Sequence, residues 1–268
     1  MNPWLDAFRA AAADVRRVLA DLPTRVEREP VLAVGEGGDD TTAVDDAAER
    51  AVVARLEDLH RNGQRFTLIS EELGERAFGS SATRLVVDPI DGSLNAKRGL
   101  RHFALSIAVA DGPSMGDVMF GYVHDFGADE EWTATRGGGA QLDGQPLGAI
   151  GPKDEVEILV MEGTLATSVA DHAPALAGYA QRFRIMGSLA LSLCQLAAGR
   201  VDAVCSLREA RAVDTAAAQL LVREVGLSIR YADARPWDAS PLDNAKQSLV
   251  VAAATDELGD RLAEILTM

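Results

Sequence analysis

Lysine is almost missing from this chain. Lys97, Lys153 and Lys246 are the only three, and arginine supplies the rest of the 26 cationic side chains. Against 41 acidic residues the formal net charge is −15. That balance argues against a nucleic-acid partner, because gripping a phosphate backbone needs a basic footprint. It also opposes any small anionic ligand unless a metal or a local arginine cluster reverses the field. Cysteine is scarce as well, at two. Cys194 lies in the apolar run Leu191 to Cys194 and Cys205 follows Val204, so both read as small buried hydrophobes. No apolar run is long enough to span a bilayer. The opening Met1-Asn2-Pro3-Trp4 leads directly into an amphipathic segment and does not resemble a secretory leader, which sets the expectation of a cytoplasmic protein with reduced thiols. The four histidines, His60, His102, His124 and His172, show no metal-ligand spacing.

What is present is ordinary globular composition: 268 residues, 47% hydrophobic and 25% charged. Helical and strand-like segments alternate, which predicts a mixed α/β fold in layers. Leu5, Phe8, Ala12, Val15 and Leu19 recur at helical spacing, and a second helix is expected from about Thr42 to Arg61. Between them the glycines of 31–41 read as a flexible connector. Phe66 to Ile69 and Leu85 to Val87 are short apolar runs that stop at acids, and they read as buried strands. Antiparallel strands are expected over 103–124 and 130–140, with a hairpin turn at Leu142-Asp143-Gly144-Gln145. A soft boundary near Gly148 to Lys153 divides an N-terminal part, 1–150, from a C-terminal part, 151–268.

The strongest local signal is Asp88-Pro89-Ile90-Asp91-Gly92-Ser93. Two carboxylates three apart follow an apolar strand, Pro89 stops the strand and Gly92 permits a close turn. Both acids can then face one spot beyond the strand end, which is the oxygen-rich setting a hard cation prefers. Gly92-Ser93 opens a short helix whose free N–H groups suit a phosphate. Taken alone, the pair also fits a solvated turn. Ser70-Glu71-Glu72 ends the neighbouring strand, and acids at adjacent strand ends share one sheet edge, where open α/β folds hold ligands. Asp39 to Asp45 and Ala212 to Ala218 each put an acid at a helix start, where capping alone would also favour it. If these acids converge, their mutual repulsion calls for cations.

Read in order, Asp39/Thr42/Asp45, Ser70-Glu71-Glu72, Asp88 to Ser93 and Val213-Asp214-Thr215-Ala216-Ala217 resemble the signature of the inositol monophosphatase superfamily. Tyr122, Glu131 to Ala134 and Gly137 to Ala140 resemble that family's central hairpins. The resemblance spans roughly 35–230. It implies an αβαβα sandwich, commonly a homodimer, forming one compact catalytic unit. It implies a magnesium-dependent phosphomonoesterase with two or three Mg2+ per site. Carried over by position, the metal ligands are Glu71, Asp88, Asp91, Asp214 and the carbonyl of Ile90. Asp45 falls on an outer carboxylate, and Ser93 on the hydroxyl that orients the attacking water. Asp45 or Glu71 would take the proton. The turns Gly92-Ser93 and Gly187-Ser188 would cradle phosphate oxygens, beside Asp91 and Asp214.

Departures from the family pattern bear on the substrate. Val213 replaces a tryptophan, and Glu209 is the only acid in the stretch where the inositol-specific branch carries one. Arg208-x-x-Arg211-x-x-Asp214 and residues 91–99 look closer to the archaeal-type bifunctional fructose-1,6-bisphosphatase/inositol monophosphatase. Arg208 and Arg211 would then hold a second phosphate by bidentate bonds, or else form a surface ion-pair cluster. Arg182 and Arg184 are weaker candidates. Residues 35–41 are a candidate lid. Alternatives within the superfamily are 3′-phosphoadenosine-phosphate and histidinol-phosphate phosphatases. The alternative of another class is a catalytically inactive binding or regulatory module.

Overall fold

A computed structural model of the chain describes residues 3–36, 38, 40–79, 82–163 and 165–268. Asp39 and Gly37, part of the first expected motif and of the connector, lie outside the described residues. The N-terminal part builds α1 (Pro3–Asp21), the single-turn α2 (Arg25–Arg28), β1 (Val31–Val34), β2 (Asp40–Thr42) and α3 (Ala43–Arg61). It continues with β3 (Phe66–Ser70), β4 (Gly74–Phe78), β5 (Arg84–Asp91), α4 (Ser93–Arg98), β6 (Ala104–Ala110), β7 (Val118–Asp125), β8 (Glu130–Thr135), β9 (Gly139–Leu142) and β10 (Gln145–Pro146). After these come β11 (Val156–Glu162), α5 (Ala166–Leu176), β12 (Ala180–Arg184), α6 (Leu189–Ala197) and β13 (Ala203–Ser206). The chain closes with α7 (Ala212–Glu224), β14 (Ser228–Tyr231), β15 (Val250–Ala253) and α8 (Asp256–Thr267).

Strands β3 to β10 form one eight-stranded sheet in the order β10-β9-β8-β7-β6-β5-β3-β4. Only the β3–β5 pair is parallel, with Ser70 beside Val87. A five-stranded sheet follows in the order β12-β11-β13-β15-β14, with β11 parallel to both of its neighbours. Side chains alternate between two cores along the central strands. Leu85 and Val87 of β5 pack with Phe8, Val15, Val52 and Leu56 of α1 and α3. Val86 joins the opposite core with α6 and α7. In β13, Val204 faces that same helix pair, whereas Ala203 and Cys205 pack with Leu258 and Leu262 of α8. Strands covered on both faces need no polar side, which is why the runs around Leu85 and Ala104 read as unbroken apolar segments. Helix pairs α1/α3, α6/α7 and α5/α8 therefore alternate with the two sheets, giving the αβαβα order.

α6 is buried on nearly every face, from Leu189 to Cys194 and again at Leu196 and Ala197, as a helix sandwiched between sheets must be. α7 lies so close to β7 that a Cβ on Gly121 would come 2.5 Å from the Ala217 carbonyl oxygen. One expectation needs correction. The glycine-rich stretch read as a plain connector holds a hairpin, with Val34 paired to Asp40 and Val31 to Thr42. Its β-branched residues pair as strands although all four residues of β1 are exposed, so neither period nor burial announced it. Both cysteines are buried and unpaired. Among the described residues no helix is long and apolar enough to cross a membrane.

Candidate active site

The parallel β3–β5 pair brings Glu71 and the Asp88–Asp91 segment to one edge of the large sheet. Glu71 N–H donates to the Val87 carbonyl at 3.3 Å. In a regular strand, residues three apart point to opposite faces. Here the register with β6 shifts between Asp88 and Asp91, and this irregularity allows both acids to line the same cavity. Gly92 then turns the chain at φ +94°, a conformation strained for any side chain, and a Cβ there would meet the Gly187 carbonyl at 2.9 Å. Asp214 enters from the opposite side, in the first turn of α7, where the helix dipole favours a carboxylate.

The aspartates share a local design in which each is fixed to a backbone turn through one oxygen. Asp88 Oδ1 accepts from Ile90 N–H at 2.9 Å. Asp91 Oδ2 accepts from the Ser188 hydroxyl and from Ala190 N–H at 2.7 Å. Asp214 Oδ2 accepts from Arg211 N–H at 2.7 Å. Asp45 Oδ2 accepts from Thr42 N–H at 3.0 Å and from its hydroxyl, while its other oxygen is buried with no hydrogen-bond partner. Glu71 is held by the guanidinium of Arg211.

Glu71, Asp88, Ile90, Asp91, Ser93 and Asp214 all line one cavity of about 420 Å³. Asp45 is buried but does not line it. Burial pushes the Glu71 carboxyl up to about 8; Arg211 pulls it down, while Asp214, Glu72 and Asp91 push it further up. Asp91 rises to about 7, chiefly through burial, against the pull of its Ser188 bond. Asp88 is raised well above the usual range by burial and by Glu71, Asp91 and Asp214. Groups that repel one another this way bind protons until a cation arrives. The donor set is entirely oxygen, from carboxylates and one carbonyl, and fits a hard divalent cation. Among the described residues no three acidic, histidine or cysteine side chains are already closed around a single point, and the Arg211 side chain reaches both Glu71 and Asp214.

Several expected substrate contacts have other partners in this structure. Ser188 and the N-terminus of α6 serve Asp91, and Gly187 N–H donates to Glu162 at 2.8 Å. Arg211 is buried among the acids and is not presented to solvent, because its guanidinium offsets their charge. Arg208 does line the cavity, with Gly163 packed under its stem. Arg182 pairs with Glu157 and Arg184 with its neighbour's carbonyl, so neither enters the cavity lining.

Four residues that no sequence motif singled out stand beside the site. Lys246 lines the cavity. Glu162, at the end of β11, also lines it and is only 2% exposed. Glu49, one helical turn beyond Asp45, accepts from the Ser70 hydroxyl at 2.6 Å, next to Glu71. Asn244 grips Ser70 from the other side, donating to its carbonyl at 2.6 Å.

The inositol monophosphatase family matches residues 4–267. A fructose-1,6-bisphosphatase/inositol-1-monophosphatase of Methanothermobacter thermautotrophicus is 29% identical, over 98% of this chain and 96% of its own. The Nus factor SuhB of Escherichia coli K12 is 34% identical over 84% of each chain. The crystal structure of an inositol monophosphatase-fructose 1,6 bisphosphatase superposes with a TM-score of 0.84 at 24% identity, covering 98% of this chain and 99% of that one.

Proposed function

Since the chain belongs to the inositol monophosphatase family and is a metal-dependent phosphatase, we propose that it hydrolyses inositol monophosphate and fructose 1,6-bisphosphate with magnesium as the cation. The observation that carries this reading is the gathering of four carboxylates, two of them buried, on one cavity, with three of the four tied to backbone turns through a single oxygen. Glu71, Asp88, Asp91, Asp214 and the Ile90 carbonyl would hold two or three magnesium ions. When bound, such a cation lowers the pKa of water and offsets charge developing on the phosphoryl oxygens.

The chain's own residues supply the rest. Glu71 lines the cavity, and once a cation has displaced the proton it holds there its carboxylate would accept a proton from the attacking water. Ser93, half-buried in the same wall, orients that water through its hydroxyl. Asp45, with one oxygen buried and unpartnered, takes the place of the outer carboxylate. Gly92 contributes backbone that approaches the phosphate without a side chain in the way.

Arg208 and Lys246 mark the side of the leaving alcohol. Both line the cavity, and among the described residues neither forms an ion pair. Their segments are joined by Ala210 N–H to Ser248 O at 3.0 Å and Gln247 N–H to Ala210 O at 2.9 Å. Two unpaired cations on one rim of an otherwise acidic cavity fit a second phosphate. Arg211 is better assigned to the acids it contacts. Exposed Leu100 and Ile185 flank the Asn95 contacts to the His102 and Met186 carbonyls and offer apolar surface to a second copy, which supports a homodimer.

The test is phosphate release from both esters in parallel, with magnesium and with chelator, for wild type and Asp91→Asn. Magnesium-dependent release that Asp91→Asn loses supports the site, and comparable rates on the two esters support the bifunctional substrate range. No release from either ester would move the reading to nucleotide or histidinol phosphates, and then to an inactive binding module.

A further inference from the structure

β11 ends as β3 and β5 do, with an apolar run that stops at an acid: Leu159-Val160-Met161-Glu162-Gly163. Unlike Glu71 and Asp88, Glu162 has both of its oxygens engaged by protein donors. Oε2 accepts from Gly187 N–H at 2.8 Å. Oε1 accepts from the Ser192 hydroxyl at 2.7 Å and from Met186 N–H at 3.2 Å. Three donors converging on a carboxylate that is 2% exposed make an acceptor-only site, which fits the ionised side chain. A charge is tolerated there because three hydrogen bonds satisfy it, and all three donors come from one short segment, residues 186–192.

That segment is also what fixes Asp91. Ser188, between the residues Glu162 holds, donates its hydroxyl to Asp91 Oδ2, and Ala190 N–H donates to the same atom at 2.7 Å. Asn95 of α4 bonds to the Met186 carbonyl at 2.7 Å, and Gly187 passes so close to Asn95 that a Cβ would lie 2.7 Å from its amide nitrogen. Gly187 can move neither toward α4 nor, because of the Glu162 bond, away from β11. Glu162 thus ties the small sheet to the turn that orients a carboxylate of the large sheet.

We propose that Glu162 is a positioning residue for the Asp91 carboxylate: it locks the 186–192 turn so that Ser188 and Ala190 hold one oxygen of Asp91 and leave the other to the cation. The inference rests on the reading of Asp91 as a metal ligand. Groups that orient a ligand from behind typically control affinity or activity by about 10–100-fold. Glu162→Gln is the informative change, because an amide must turn its NH2 toward one of three N–H or O–H donors, and Glu162→Asp is too short to reach them all.

The experiment is Mn2+ titration by electron paramagnetic resonance on the purified protein without substrate, with thermal melts as a fold control. The expected result for Glu162→Gln is a folded protein whose manganese affinity falls about 10–100-fold. Combined with Ser188→Ala the loss is far from additive, because both changes act through one turn. Manganese binding within twofold of wild type, or fully additive losses, overturns the proposal. If Glu162→Gln does not fold, Ser192→Ala removes one of the three bonds and keeps the carboxylate. It is expected to weaken manganese binding about 2–5-fold, less than the full loss of about 10–100-fold because two of the three bonds remain, and unchanged binding overturns the proposal equally. Asp91→Asn separates the two readings: if it binds manganese like wild type, the assignment of Asp91 as a ligand fails, whatever the outcome at Glu162.

Discussion

The guanidinium of Arg211 donates to the carboxylate of Glu71, 140 residues away in the chain, and its own backbone N–H holds Asp214. The contact bridges the two halves of the molecule at the point where their acids meet. Arg211 side-chain exposure is only 10%, so it is a buried countercharge in direct reach of two acids of the cluster.

Replacing it tests that role. Arg211→Met removes the charge and keeps much of the volume. Breaking a buried pair by removing one partner costs about 3–5 kcal/mol, so melting in chelator is expected to drop by roughly 5–15 °C. Saturating magnesium is expected to restore most of the loss, because the cation supplies the missing positive charge. An equal drop with and without magnesium would reduce Arg211 to a packing residue.

Gly121→Ala probes how firmly α7 presents Asp214. The added Cβ would sit 2.5 Å from the Ala217 carbonyl oxygen and 3.2 Å from its carbon, and both atoms are backbone that cannot rotate away. The helix must shift off β7, at a cost of about 1–3 kcal/mol. Asp214 moves with it, so the magnesium concentration for half-maximal activity is expected to rise together with the loss of stability measured in denaturant. A stable variant with unchanged metal dependence would show that α7 slides freely on the sheet.

The layered fold was legible because its central strands are apolar on both faces and its outer helices are amphipathic, and both patterns are local. The ligand candidates were legible for a related reason: Ser70-Glu71 and Val87-Asp88 each break an apolar strand with an acid. Glu162 carries the same signature at the end of β11 and could have been found by it. Glu49 was hidden because it borders the apolar face of α3 and looks like a solvated residue, although its position four after Asp45 places it on the same side of the helix. Lys246 lies in an irregular segment whose path depends on backbone pairing with Ala210, which no local pattern encodes. The partner of Arg211 was equally beyond reach, because Glu71 is distant in sequence and meets it only through the packing of α7 on the sheet.

Glu49 gives a pH dependence whose sign can be worked out. Burial raises its carboxyl from the ordinary 4.5 to about 7, and one oxygen is buried without a partner. The folded state therefore holds this proton more tightly than the unfolded chain does. The resulting stabilisation is complete below about 4.5 and is lost as pH rises through about 7. Glu49→Gln abolishes the titration and keeps an amide oxygen for the Ser70 hydroxyl. In chelator the variant is expected to gain on wild type between pH 5 and pH 8, by at most on the order of 3 kcal/mol. Denaturant unfolding at the two pH values decides it, and a difference independent of pH would contradict the burial argument.

Arg208 and Lys246 bear on which alcohol leaves. Both line the cavity, on segments linked through Ala210 and Gln247, and the Arg208 stem is seated against Gly163, where a Cβ would approach it to 2.9 Å. If they grip a second phosphate, the double change Arg208→Ala/Lys246→Ala removes binding made equally in the ground and transition states. KM for fructose 1,6-bisphosphate is then expected to rise about 10–100-fold with kcat little altered, since hydrogen bonds to charged groups contribute about 1.5–3 kcal/mol. KM for inositol 1-phosphate, which has no second phosphate to lose, is expected to move less than about threefold by the same accounting. A matching rise for both esters would mean that the two cations act on the phosphate being cleaved, or on the field of the whole cavity, and that the bisphosphate has no subsite of its own.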